Sequence, residues 1–217
     1  MFFLANMAYS TLPAFLPTIL EAMGHSELQA EALSAPPMLL AFGVVLLTAH
    51  VSDRAQSRSP FVIAHAVLSA SGYFVLALVK NPMVRYAAVY PAAVGFFSVV
   101  VLIIAWSVNN QPDEGRRGGG FALLQVVGQC GPLVGAQLYP DHDAPFFETG
   151  MWACAAAMSG VAVLALVLRV YLVRRNRRLD DTSEDGVDEE VRGLFESGGR
   201  ERERDREKER TGFRYML

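Results

Sequence analysis

Charge is what this sequence has least of over most of its length. From Met1 to Leu168 the only bases are Arg54, Arg58, Lys80, Arg85, Arg116 and Arg117. The only acids there are Glu21, Glu27, Glu31, Asp53, Asp113, Glu114, Asp141, Asp143 and Glu148. Between these clusters lie uncharged apolar stretches with no polar stripe at helical spacing, which excludes an ordinary soluble helical domain. Cysteine is scarce too. Cys130 and Cys154 both fall inside apolar segments, so neither a disulfide framework nor a zinc site is expected. The four histidines, His25, His50, His65 and His142, are scattered, and no nucleophile stands beside a base. That pattern argues against an enzyme, and no cofactor is expected. No basic and aromatic surface points to nucleic acid. The run Gly118–Gly120 lacks the Lys-Ser/Thr of a phosphate loop and reads as a flexible helix start.

What is present is apolar length. A bilayer crossing takes about 20 residues at about 1.5 Å rise each. Six such stretches are predicted, at about 1–23, 34–51, 60–79, 84–108, 118–139 and 150–173. The first lacks a basic leader and a small-residue cleavage site, so it reads as a retained span rather than a signal peptide. Pro13 and Pro17 interrupt it, as membrane helices tolerate when neighbours re-satisfy the backbone. Pro36 and Pro37 are expected to open the second span, since proline suits a first turn. The fold class expected is an all-α membrane protein, a six-transmembrane-helix bundle with a disordered or partly helical C-terminal tail. Residues 1–174 form the bundle and 175–217 the tail.

The basic residues orient the bundle. The connections 53–59 and 109–117 each carry two arginines, and Arg174, Arg175, Arg177 and Arg178 follow the sixth span. The opposite side holds only Lys80 and Arg85. The positive-inside rule places the arginine-bearing loops, the tail and both termini in the cytosol. The tail itself is a different polymer. Residues 179–190 are acidic, and 200–210 read RERERDREKER. Such a run has no apolar stripe, and its i,i+4 ion pairs are worth only about 0.2–0.5 kcal/mol each.

Polar residues inside the spans are costly in lipid and tend to face the bundle interior. Candidates for a solute cavity are Asn6 and Tyr9 in the first span, Trp106 in the fourth, and Gln125 and Gln129 in the fifth. The two glutamines are four apart and share a helix face. Indole and phenol could stack on a flat solute, and the amides could donate to a carboxylate. Gly128, Gly131 and Gly135 permit close helix approach.

The loop SDRAQSR at 52–58 carries a D-R-x-x-x-R pattern that resembles the signature loop of the major facilitator superfamily. FLPTIL (15–20), LSAPP (33–37), RYAAVY (85–90), AWSVNN (105–110), QVVGQCGPLVGAQLYP (125–140), DAPFFETG (143–150) and the final FRYML (213–217) occur with it in order. Together they resemble the second half of a fungal transporter of the allantoate permease family, the anion:cation symporters. The resemblance implies that the six spans are the C-terminal half of a twelve-helix fold in the plasma membrane. It implies transport of small organic anions, such as allantoate, nicotinate or pantothenate, coupled to protons. The partners would be the lipid bilayer and the N-terminal six-helix half. By the same resemblance Asp53, Arg54 and Arg58 form a conformational latch, and Arg116 and Arg117 a second cytosolic anchor. This sequence has no counterpart of the first six helices, and Met1 falls inside what resembles the seventh. The alternative expectation is therefore a truncated, non-transporting membrane protein or an incomplete gene model. The substrate is not legible in the residues.

Overall fold

In a computed structural model the backbone is described for residues 1–22, 24–111, 114–140, 143 and 146–194. Side chains are described over the same residues except 14, 15, 22, 114–117 and 178–194. Among the described residues the chain is helical: α1 Phe2–Ala22, α2 Glu27–Ala55, α3 Ser59–Leu78, α4 Pro82–Asn109, α5 Glu114–Gly135 and α6 Glu148–Leu194. By length and composition α2, α3, α4 and the stretch Glu148–Arg177 of α6 can each cross a membrane. The run 200–210 and the FRYML ending lie outside the described residues.

Local chemistry explains most helix ends. The Asn81 side chain accepts from the Met83 amide at 3.0 Å, and Pro82 opens α4, where a missing N–H costs nothing. After α1, Gly24 adopts φ +97°, a left-handed conformation that suits glycine. The His25 amide then reaches back to the Leu20 carbonyl at 3.3 Å and closes the helix end.

One expectation is corrected here. Pro36 and Pro37 do not open α2; the helix begins at Glu27 and carries both prolines inside it. Ser26 precedes the first turn, and its amide donates to the Gln29 side chain at 3.2 Å. Pro37 has no N–H for the Leu33 carbonyl one turn back. The Tyr86 hydroxyl of α4 donates to that carbonyl at 3.0 Å. A tertiary hydrogen bond thus replaces the missing helical one. The last helix also runs further than the expected span, through the arginine cluster to Leu194.

Four helix pairs set the packing, α2 against α4 among them. α3 lies against α4 and α6, and α1 lies chiefly against α5. The α3–α4 crossing is an interlock of small residues. A Cβ on Gly95 would sit 2.5 Å from the His65 carbonyl, and one on Gly72 would sit 2.6 Å from the Ala92 amide. The Ser69 hydroxyl donates to the Ala92 carbonyl at 3.1 Å across the same crossing. The α1–α5 crossing is built from the glycines singled out above. Gly128 faces Phe2 and Asn6, Gly131 faces Phe3 and Met7, and Gly135 faces Thr11. Without a hydrophobic drive between helices in lipid, such close approach is what holds them. Leu39, Leu40, Phe42, Leu46 and Leu47 of α2 point outward, as a surface facing hydrocarbon should.

Candidate functional site

Chemistry is concentrated at the two ends of the bundle and along one seam. The first end is the SDRAQSR loop. Asp53 lies in the last turn of α2, and Gln56 then turns the chain at φ +49°. That left-handed turn is unusual for a side chain with a Cβ. It is held by the Gln56 amide side chain, which donates to the Asp53 carbonyl at 2.7 Å. The turn returns Arg58 beside Asp53. Arg58 is nearly buried, and its Nη2 donates to the Asp53 carboxylate, which is largely exposed. Asn109 closes the other side. With its amide oxygen facing the guanidinium, it accepts from Arg58 Nε at 3.0 Å and Nη2 at 3.2 Å. One arginine therefore ties the α2–α3 connection to the last residue of α4. Arg54 is exposed. Arg116 and Arg117 lie in the first turns of α5, with side chains outside the described residues.

The opposite end is centred on Arg85, 1% exposed. Its Nη1 donates to the Leu76 carbonyl at 2.7 Å, and its Nη2 to the Phe146 carbonyl at 2.7 Å. Leu76 belongs to the last turn of α3, whose carbonyls lack helical donors. The guanidinium also stands 5.3 Å from the Phe146 ring centre. Lys80 lies over the same ring and pairs with Glu148 at 3.2 Å, out in solvent. Arg85 thus joins the end of α3, the start of α4 and the segment leading into α6. Sequence reasoning placed it near a helix end and gave it no role. The available signal was a lone arginine inside an apolar run.

The five cavity candidates differ in their surroundings. Asn6 is buried against Gly128, and its amide nitrogen has no hydrogen-bond partner among the described residues. Gln125, on α5, is half-buried, with its carbonyl oxygen likewise unpartnered. Gln129 is exposed. Tyr9 is partly exposed on the α4 side of α1, edge-on to Phe97 at 5.3 Å and Phe96 at 6.0 Å. Trp106 is buried in the core. An open cavity of about 410 Å³ lies elsewhere, where α1 and α5 begin and α4 ends. Phe2, Phe3, Ser107, Gln111, Phe121 and Leu124 line it, and none of the five does.

A polar node that the sequence did not suggest lies in the core. Tyr73 of α3 donates to the Ala8 carbonyl of α1 at 2.9 Å. Thr11 of α1 and Tyr139 approach the Cys154 sulfur of α6 at 3.5 and 3.6 Å. Across α2 and α3, the His65 Nδ1–H donates to the Phe61 carbonyl at 2.9 Å. The ring's Nε2 lies 3.2 Å from the Thr48 hydroxyl of α2.

These features define a polytopic helical membrane protein with charged braces at its ends and glycine-lined crossings between. The chain belongs to the Major Facilitator Superfamily, whose profile matches residues 1–136. It is 29% identical to the MFS transporter prlL of a fungal species over 82% of this chain and 37% of that protein. It is 28% identical to the major facilitator-type transporter hxnP of Emericella nidulans, over 80% of this chain and 36% of that one. It is 24% identical to the high-affinity nicotinic acid transporter of Saccharomyces cerevisiae, over 76% of this chain and 30% of that one. The chain spans about a third of the length of these relatives. The family is one of transporters, not enzymes.

Proposed function

We propose that this chain is the C-terminal six-helix half of a proton-coupled transporter of small organic anions, of the allantoate permease type. In this reading α1 and α5 join the four clearly membrane-long helices as spans. The Asp53 loop and both termini face the cytosol of the plasma membrane. The observation that carries it is the likeness to fungal transporters, one of which is named for nicotinic acid. Physical support comes from the unpartnered amide nitrogen of Asn6 and amide oxygen of Gln125, which a solute or water could satisfy. Tyr9 adds an accessible aromatic face, while Gln129 reaches the surface of α5. The Arg58 brace would close in one conformational state and open in the other. In that scheme Asp53 supplies the exchangeable partner, exposed Arg54 meets headgroups or the other half, and Arg116 with Arg117 anchors the start of α5. Solute would lie between the two halves, so this chain supplies one wall of the site.

The test is uptake of labelled nicotinate and other carboxylates in yeast lacking its own permeases, with the full-length gene product expressed. Accumulation that collapses with a protonophore is the expected result. Correct membrane insertion without uptake of any carboxylate would overturn the reading. This 217-residue chain expressed alone is expected to insert and not transport.

A further inference from the structure

We propose that the end of α6 carries a binding strip for anionic lipid headgroups, formed by Arg174, Arg175 and Arg177 on the side of the helix that faces hydrocarbon. That α6 meets a bilayer follows from the family. The assignment of the strip to the cytosolic leaflet rests on the transporter reading.

Over these turns α6 has two sides. Ala165 and Leu172 are buried and Asn176 is half-buried. They are seven and four residues apart, which stacks them on the side that meets the bundle. Val163, Leu164, Leu166, Val167, Val170 and Tyr171 are exposed. So many outward apolar side chains suit a surface covered by lipid tails. The arginines continue this outer side. Arg174 follows Val167 by seven residues and Val170 by four; Arg175 follows Tyr171 by four; Arg177 follows Val170 by seven. All three are exposed. Tyr171 marks the change from apolar to charged, since Arg175 Nη1 donates to its hydroxyl at 3.1 Å. A phenol that ends an apolar strip and bonds a guanidinium belongs where headgroups begin.

The charge then changes sign along the helix axis. Arg178 comes next, followed by Asp180, Asp181, Glu184 and the rest of the acidic run, in a backbone that stays helical to Leu194. At about 1.5 Å per residue, Glu184 stands about 15 Å beyond Arg174 and about 10 Å beyond Arg177. The Debye length at physiological salt is about 8 Å. Arginines seated among lipid phosphates therefore lie inside the field of an anionic surface, while the acids from Glu184 onward stand outside it. This order of charge favours one depth. Sinking would carry acids into anionic headgroups, and rising would take the arginines out of them. A guanidinium also meets a phosphate with paired N–H donors, which gives the contact direction as well as charge. The far end of the bundle has no such strip: Lys80 there is already paired with Glu148.

The test uses the full-length protein in vesicles, with a fluorophore on Val170→Cys, Cys130→Ser and any other reactive thiols removed. Quenching by brominated phosphatidylserine is compared with quenching by brominated phosphatidylcholine at equal mole fraction. The expected result is a preference for phosphatidylserine of about fivefold at about 0.1 M salt. It should fall towards one at about 1 M salt, where the Debye length shrinks to about 3 Å. Arg174→Gln with Arg175→Gln and Arg177→Gln should abolish the preference, and Lys80→Gln should leave it unchanged. Equal quenching by the two lipids would overturn the strip, and so would a preference that survives the triple substitution or high salt. If Asp180→Asn with Asp181→Asn turns equal quenching into a preference, the arginines are neutralised by their own helix and the proposal fails. Should the triple variant insert poorly, the salt dependence of the labelled protein without it decides alone. A lack of carboxylate uptake would sink the transporter reading and leave the lipid preference as measured.

Discussion

Arg58 and Arg85 are both buried arginines, one at each end of the bundle, and they are satisfied in opposite ways. Arg58 faces side chains: the exposed carboxylate of Asp53 and the amide of Asn109. Arg85 faces main chain: the carbonyls of Leu76 and Phe146. Side-chain partners at helix ends can exchange when helices shift, since either can rotate away. The Leu76 carbonyl, at the end of a packed helix, cannot leave without the helix, and the Phe146 carbonyl cannot rotate away as a side chain can. The difference is that the Asp53 end is tied by side chains that can exchange partners, and the Arg85 end by main chain. It agrees with a cavity at the first end and tight packing around Gly150 at the second.

The sharpest way to break the comparison is to remove each arginine's partners and ask which loss unfolds the protein. Arg85→Met should have the largest effect. It leaves the Leu76 and Phe146 carbonyls buried without donors, at a cost of about 3 kcal/mol. Denaturant titration in mixed micelles would measure it, and Arg85→Lys should recover only part, because an ammonium lacks the planar fork. Asp53→Asn should cost about 1 kcal/mol, because its carboxylate is exposed and screened. In the full-length protein it should nonetheless impair uptake more than Arg85→Lys does. Equal destabilisation by Asp53→Asn and Arg85→Met would erase the distinction between the ends.

The sequence carried the helices well and the side-chain network poorly, for physical reasons visible in single residues. Long uncharged runs announce membrane-length helices, because their composition has no other stable use. The spacing from Asp53 to Arg58 is local, so a loop that brings the two together could be expected from the motif. The glycines of α5 were legible as a close-approach face, although not which helix they meet. Asn109 was not legible as a partner of Arg58, because it lies 51 residues beyond it, and only the α3–α4 packing brings them together. Pro36 and Pro37 misled, because their usual place in a first turn is a local preference. The bond from Tyr86 that permits proline inside α2 comes from 53 residues away in sequence. The cavity candidates were chosen for polarity, yet polarity alone does not say whether a residue faces a neighbour, a solute or the surface.

Asn109 offers a finer test of how Arg58 is held. Replacing Asn109 by Ala removes an acceptor from a guanidinium that keeps its carboxylate, so a loss of about 1 kcal/mol is expected. If Asp53 and Asn109 act on Arg58 as one unit, the double variant Asp53→Asn, Asn109→Ala should lose more than the two single losses added. The excess should be about 0.5–1 kcal/mol, since the remaining cation then has neither partner. Simple additivity would mean that Arg58 turns to water when either partner goes, and the brace would be two independent contacts.

The smallest effect is expected at Lys80, and its smallness is informative. Lys80 sits beside Arg85, over the same Phe146 ring, and pairs with Glu148. Both partners of that pair are well exposed, 69% and 45%. An exposed pair is worth at most about 0.5 kcal/mol, because water and salt compete for both charges. Lys80→Gln should therefore shift the denaturation midpoint barely at all, and less still in high salt. Arg85, 1% exposed and bonded to carbonyls, should show no such salt dependence. A Lys80→Gln loss approaching that of Arg85→Met would mean that the surface charges close this end, and the buried guanidinium would no longer be its brace.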